Sequence, residues 1–88
     1  MGSVDKLLVQ ILRGASDANI RFQDVCNLLT HLGFEKRTRG SHTLFRKNGV
    51  EEKINLQKDG NKAKPYQVKQ IRNLIVKYKL AGDENDSV

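Results

Sequence analysis

One histidine lying among cations is the feature of this chain best suited to chemistry. His42 lies in the stretch RTRGSHTLFRKNG, residues 37–49, together with four Lys and Arg residues. An imidazole titrates near neutral pH, so it can accept or donate a proton within one reaction cycle. Cations beside it can hold a phosphate and stabilise the charge that builds on the phosphoryl oxygens. Because RNA carries its own nucleophile, the 2′-hydroxyl, such a set can cleave an RNA chain without a metal ion.

The number of acid–base groups leaves two hypotheses open. Cleavage needs a proton donor as well as an acceptor, and we expect the only other histidine, His31, to cap a helix end. The first hypothesis is an endoribonuclease with His42 as general acid or base. The second is a module that binds RNA without cleaving it. A double-stranded-RNA-binding domain uses helix and loop cations for this purpose and needs no histidine on its sheet.

No other catalytic or ligand-binding set can be assembled from the sequence. It contains no Gly-rich phosphate loop and no Ser/His/Asp set. A single cysteine forms no internal disulfide and argues against a structural zinc site, which usually takes four Cys and His ligands. We therefore predict neither a metal nor a cofactor. Cys26 itself lies on the apolar stripe of a helix, which indicates packing in the core.

Charge is unevenly distributed along the 88 residues, which are enough for one domain over residues 1–82. Residues 36–79 hold thirteen of the sixteen Lys and Arg residues and three acidic ones, a net charge of +10. Such a segment is suited to a polyanion such as nucleic acid. Residues 83–88 are acidic, and we predict a frayed tail there. We predict a cytoplasmic protein, because no secretion signal and no apolar run of roughly 18 residues is present.

Three stretches have the apolar period of a helix. The first spans about residues 4–13 and is followed by Gly14 as a stop signal. The second begins near Phe22 and ends at Gly33, and the third begins at Pro65, a residue suited to the first helical position. Between the second and third helices, strands are predicted near residues 34–39, 42–47 and 50–57.

Two tight turns set the predicted strand pairing. An Asn48-Gly49 turn of type I′ pairs Phe45 with Glu52, and a turn at Arg39-Gly40 pairs Phe34 with Phe45. Both registers place the apolar side chains on one face of a three-stranded antiparallel meander. The predicted fold is therefore α+β in two layers, with helices covering one face of the sheet.

His42 is predicted to lie at the centre of the opposite, open face. In this register Arg37 and Asn55 flank it on the two neighbouring strands, and Arg46 and Lys53 lie on the same face. Arg37, Arg46 and Lys53 are therefore the candidate RNA ligands. Two further lysines close to them in the sequence, Lys36 and Lys58, are also candidates.

The stretch LGFEKRTRGSHTLFR resembles the signature of the HicA family, the small RNA-cleaving toxins of bacterial toxin–antitoxin pairs. The matching features are Gly33-Phe34 at a helix end, the triplet Gly40-Ser41-His42, and the aromatic Phe45 three positions after the histidine. The segment KINLQKDGNKAKPYQVKQIRNLI is similar to the third strand, basic loop and closing helix of that family. The resemblance covers about residues 20–80.

The resemblance implies a double-stranded-RNA-binding-like fold, with helix, three strands and helix in that order. It also implies that His42 is the catalytic histidine and that Gly40 and Ser41 form the turn that presents it. The implied activity is cleavage of mRNA, neutralised by a cognate antitoxin of the HicB type. The alternative is a degenerate toxin that binds RNA without cleaving it.

The helix at residues 4–13 precedes the part of the chain that resembles the family. Three roles are open to it: completing the hydrophobic core, forming a homo-oligomer, or contacting the antitoxin. Because the core of so short a chain is small, packing is the role we favour.

Overall fold

An antiparallel sheet with one face covered by helices forms the framework of the computed structural model, which describes residues 3–14 and 17–80. The acidic tail predicted at residues 83–88 lies outside the described residues. The elements follow one another as α1 (Ser3–Arg13), a short 3-10 turn (Asp17–Asn19), α2 (Phe22–His31), β1 (Glu35–Arg39), β2 (His42–Lys47), β3 (Val50–Asp59), β4 (Lys62–Ala63) and α3 (Pro65–Lys77). The α+β architecture is as predicted, and the spatial order of the strands is β1-β2-β3-β4.

The core lies between the helices and one face of the sheet. On that face Phe45, Ile54 and Leu56 are completely buried and pack against apolar side chains of all three helices. Strand residues at alternate positions point to opposite faces, so the other face stays open to solvent. No helix among the described residues is long and apolar enough to cross a membrane.

Helix α1 completes this core. Its side chains Leu7 and Ile11 are buried with those of α2 and α3. The guanidinium of Arg72 on α3 donates a hydrogen bond of 3.2 Å to the Ile11 carbonyl and lies 3.0 Å from the Asp17 carboxylate. The packing role predicted for α1 is therefore confirmed. Formation of a homo-oligomer through its outer face, where Val9 is 49% exposed, stays a prediction.

The pairing of β2 with β3 differs from the predicted register. Lys47 pairs with Val50 as predicted, but a bulge follows and Phe45 pairs with Ile54 instead of Glu52. The physical reason is burial, because the predicted register would place the Glu52 carboxylate on the core face opposite Phe45. The bulge instead brings an apolar side chain to that position. Asn48 keeps a negative φ, so the turn is not of the predicted type I′.

The pairing of β1 with β2 also differs, by two residues. The turn residues are Gly40 and Ser41, so that Arg39 pairs with His42 and Phe45 lies opposite Lys36. The predicted turn at Arg39-Gly40 would place a positive φ on an arginine. The structure assigns it to Gly40, whose φ is +56°. Both corrections shift the pairing by an even number of residues, so every side chain keeps its predicted face.

A fourth strand was not predicted. Residues Lys62 and Ala63 pair with Asp59 and Lys58 across a turn that contains Gly60. Asp59, Gly60 and Asn61 are residue types typical of a turn, but a strand of two residues is too short to show an alternating pattern. This short strand covers the outer edge of β3 at its last two residues only.

Candidate nucleic-acid interface

The open face of the sheet carries His42 and a band of cationic side chains. Since β1, β2 and β3 each expose alternate residues there, the face combines polar and charged side chains from three separate parts of the chain. Its side chains include Glu35, Arg37, Arg39, His42, Leu44, Arg46, Lys53, Asn55 and Gln57. All of them are exposed except Leu44 and Gln57, which are half-buried.

His42 is not at the centre of this face, as predicted, but at its end, as the first residue of β2 beside the Gly40-Ser41 turn. Arg39 is its direct partner on β1, and Gln57 is its direct partner on β3. The predicted neighbour Arg37 lies one position further along, opposite Leu44. Sequence reasoning missed Arg39 as a neighbour because its pairing depends on which residues form the turn.

Asn55 orients the imidazole. The Nδ1 atom of His42 lies 3.2 Å from Oδ1 of Asn55, a residue diagonal to it on β3. An amide oxygen can only accept a hydrogen bond, so with Oδ1 as the partner the proton of the neutral ring is assigned to Nδ1. The Nε2 lone pair is then left to accept a proton from a substrate.

A second cation reaches this end of the sheet from outside the three predicted strands. The ammonium of Lys64, between β4 and α3, donates a hydrogen bond of 3.2 Å to Oε1 of Gln57. His42 is therefore flanked by Arg39 on one side and by Gln57 with Lys64 on the other. Sequence reasoning missed Lys64, because its position depends on β4, which brings the chain back to the edge of β3.

A groove of about 590 Å³ runs along the open face. Its cationic lining includes three of the predicted RNA ligands, Arg37, Arg46 and Lys53, together with Arg39. The half-buried Leu44 also lines it. With Lys47 the lining holds five cations against one carboxylate, Glu35. A concave surface of this kind suits the repeated phosphates of a polynucleotide backbone.

The other two predicted RNA ligands lie on the side of the sheet that faces the helices. Lys36 is paired with the buried Phe45, and its positive charge acts to lower the pKa of the Cys26 thiol on α2. The Lys58 ammonium lies 5.5 Å from the centre of the Phe22 ring, also on α2. Neither lysine shares the face of His42, because both occupy core-face positions of the alternating pattern.

The remaining reactive side chains belong to the helical layer. His31 is the last residue of α2 and is exposed there, away from the open face. Cys26 is buried, and this burial raises the pKa of its thiol, which favours packing over nucleophilic chemistry. The described residues contain no group of three or more His, Cys, Asp and Glu that could hold a metal ion.

Comparison with known proteins adds one match. Residues 22–82 match the sequence model of a family described as HicA toxin of bacterial toxin–antitoxin. No curated protein and no solved structure matches the chain. The matched segment begins at α2 and contains the whole open face, whereas α1 precedes it.

Proposed function

We propose that this chain, which belongs to the HicA family of bacterial toxin–antitoxin toxins, is an endoribonuclease that cleaves mRNA with His42 as its acid–base group. The observation that carries the proposal is the hydrogen bond between the exposed imidazole and Asn55, directly beside Arg39 at one end of the cationic band. A residue that only solubilised the surface would not require this orientation.

The proposed reaction begins with the RNA backbone in the cationic groove. Nε2 of His42 takes the proton of a ribose 2′-hydroxyl, and the 2′-oxygen attacks the adjacent phosphorus. The bond to the 5′-oxygen breaks, so the products are a 2′,3′-cyclic phosphate and a 5′-hydroxyl. We assign protonation of the leaving oxygen to solvent water, because the other histidine of the chain, His31, lies on α2.

The cations have two roles in this proposal. Arg37, Arg46 and Lys53 bind phosphates and set the path of the chain along the groove. Arg39, directly opposite His42, stabilises the negative charge that develops on the phosphoryl oxygens. This division predicts that the imidazole contributes mainly to the rate of RNA cleavage, whereas the groove cations contribute mainly to the affinity for RNA. The reaction itself needs no metal ion.

Membership of the family implies a cognate antitoxin. We propose that a HicB-type antitoxin covers the open face and places carboxylates against Arg37, Arg46 and Lys53. Complementary charge of this kind accelerates association by steering the encounter. Since mRNA is the substrate, we place both proteins in the cytoplasm.

Induced expression of the intact chain and of His42→Ala in a bacterial host tests the proposal. We expect growth arrest and loss of mRNA with the intact chain and neither with His42→Ala. His31→Ala is the matched control, because it removes the other exposed histidine and leaves the open face unchanged. Toxicity of His42→Ala equal to that of the intact chain would favour a module that acts by binding RNA.

A further inference from the structure

We propose that Gln67, a buried residue of α3, is a positioning residue for the His42 site. The inference rests on the proposed function, because it concerns how the imidazole is held for proton transfer. Gln67 is 3% exposed and is one of two buried polar residues among the described part of the chain. It does not touch His42, so its effect must pass through β3.

Gln67 makes two hydrogen bonds to the backbone of β3. Its Nε2 donates to the Asn55 carbonyl at 2.8 Å, and its Oε1 accepts from the Gln57 amide at 3.2 Å. A side-chain amide has the same donor and acceptor as a peptide group. Gln67 therefore occupies the place that a neighbouring strand would take.

The edge of β3 needs this substitute because β4 is short. Residues of β4 pair with β3 at Lys58 and Asp59, and the strand does not extend as far as Asn55. Without Gln67, a carbonyl and an amide beside the buried core would lose their partners. An unpaired polar group of this kind is costly, so β3 would be expected to shift locally toward water.

The two backbone positions held by Gln67 are those whose side chains surround the imidazole. Asn55 accepts the hydrogen bond from His42 Nδ1, and Gln57 is the direct partner of His42 and binds Lys64. A single buried amide thus connects the helical layer to both residues that flank His42 on β3. A displacement of about 1 Å at a reacting group can lower a rate about 100-fold, so the connection matters for catalysis.

The kinetic test compares Gln67→Leu with Val68→Ala. Val68 is the next residue of α3 and is completely buried, so its truncation weakens the packing of the same helix but removes no hydrogen bond to β3. Both proteins are assayed under single-turnover conditions at a temperature where circular dichroism shows them folded. We expect Gln67→Leu to lower the maximal cleavage rate by about 10- to 100-fold. The RNA concentration at half-maximal rate should change much less, because two of the three phosphate-binding cations, Arg37 and Arg46, lie on the other two strands.

A second readout follows the imidazole directly. Nitrogen NMR of His42 distinguishes the Nδ1–H tautomer from the Nε2–H tautomer, and the intact protein should show mainly the first. Gln67→Leu should show a mixture of the two, whereas Val68→Ala should match the intact protein.

The outcomes separate this inference from the proposed function. Gln67→Leu with the cleavage rate and tautomer of Val68→Ala would overturn the positioning role. If the intact chain does not cleave RNA at all, the proposed function fails. The tautomer of His42 then remains as the test of the role of Gln67. A mixed tautomer in Gln67→Leu alone then supports the role of Gln67, and an unchanged Nδ1–H tautomer overturns it.

Discussion

Oδ1 of Asn55 and Nδ1 of His42 lie 3.2 Å apart across the two central strands of the sheet. This contact occupies Nδ1 of the imidazole and leaves Nε2 as the nitrogen that can face a substrate. It also joins two residues that are thirteen positions apart in the chain, so it depends on the register of β2 against β3.

Asn55→Ala should therefore lower the rate of RNA cleavage. Loss of the partner that orients a metal-ligating histidine typically costs about 10- to 100-fold in activity, and we expect a loss of the same order here. Single-turnover rates of Asn55→Ala measure this effect, and Asn73→Ala, exposed on α3, is the control. Equal rates for the two variants would mean that Asn55 does not orient His42.

His42→Ala should lower the rate by more than Asn55→Ala, by about 10²- to 10⁴-fold, because it removes the proton transfer itself. Its affinity for RNA should stay close to that of the intact chain, since arginines and lysines hold the phosphates. A substrate with 2′-deoxyribose at the cleavage site tests the nucleophile. Cutting of this substrate would exclude the 2′-hydroxyl and the role assigned to His42.

Affinity for single-stranded RNA should fall steeply with salt, with a log–log slope of about −0.7 for each phosphate contact. Lys53→Ala removes one groove cation, so its slope should be less steep by about 0.7. Lys58→Ala is the matched control, because this lysine lies on the helix side, 5.5 Å from the centre of the Phe22 ring. The same slope in both variants would contradict binding through the open face.

Arg72→Leu should destabilise the fold by weakening the attachment of α1. The guanidinium bonds the Ile11 carbonyl and Asp17, and its side chain is only 20% exposed. Hydrogen bonds to charged groups contribute about 1.5 to 3 kcal/mol, so the free energy of unfolding should fall by at least about 1.5 kcal/mol. Chemical denaturation measures this change. Lys69→Leu, the same type of change at an exposed position of α3, should have a much smaller effect.

Acid should remove the contribution of the Glu52 carboxylate to stability. Hydrogen bonds from Lys77 and Tyr78 lower the pKa of Glu52 from 4.5 to about 2. A pKa lowered in the folded state adds stability that is complete above about pH 4.5 and is lost as the pH falls toward 2. The contribution is modest, because the Lys77 side chain is 58% exposed to solvent.

Melting temperatures of the intact chain and of Glu52→Gln, measured across this pH range, test the prediction. The intact chain should be more stable than Glu52→Gln at pH 6, and the difference should disappear near pH 2. A difference that does not change with pH would show that ionisation of Glu52 is not its source.

The faces of the sheet were predictable from the sequence because side-chain alternation depends only on whether a position is odd or even. The β1–β2 pairing, and the β2–β3 pairing beyond the bulge, lie two residues away from the predicted register, yet His42 and Lys53 still share the open face and Phe45 still lies in the core. The three long helices were predictable for a related reason, since their apolar periods are local. Local patterns therefore determined the fold class and the face that carries the histidine.

The immediate surroundings of His42 were decided by the tertiary structure. Burial opposite Phe45 selects Ile54 over Glu52, and the resulting bulge sets which residues of β3 lie beside the imidazole. The short strand β4 brings Lys64 to Gln57, and packing of α3 brings the amide of Gln67 to the edge of β3. None of these contacts has a local signal, because each joins residues from separate elements whose distance is set only when the core packs.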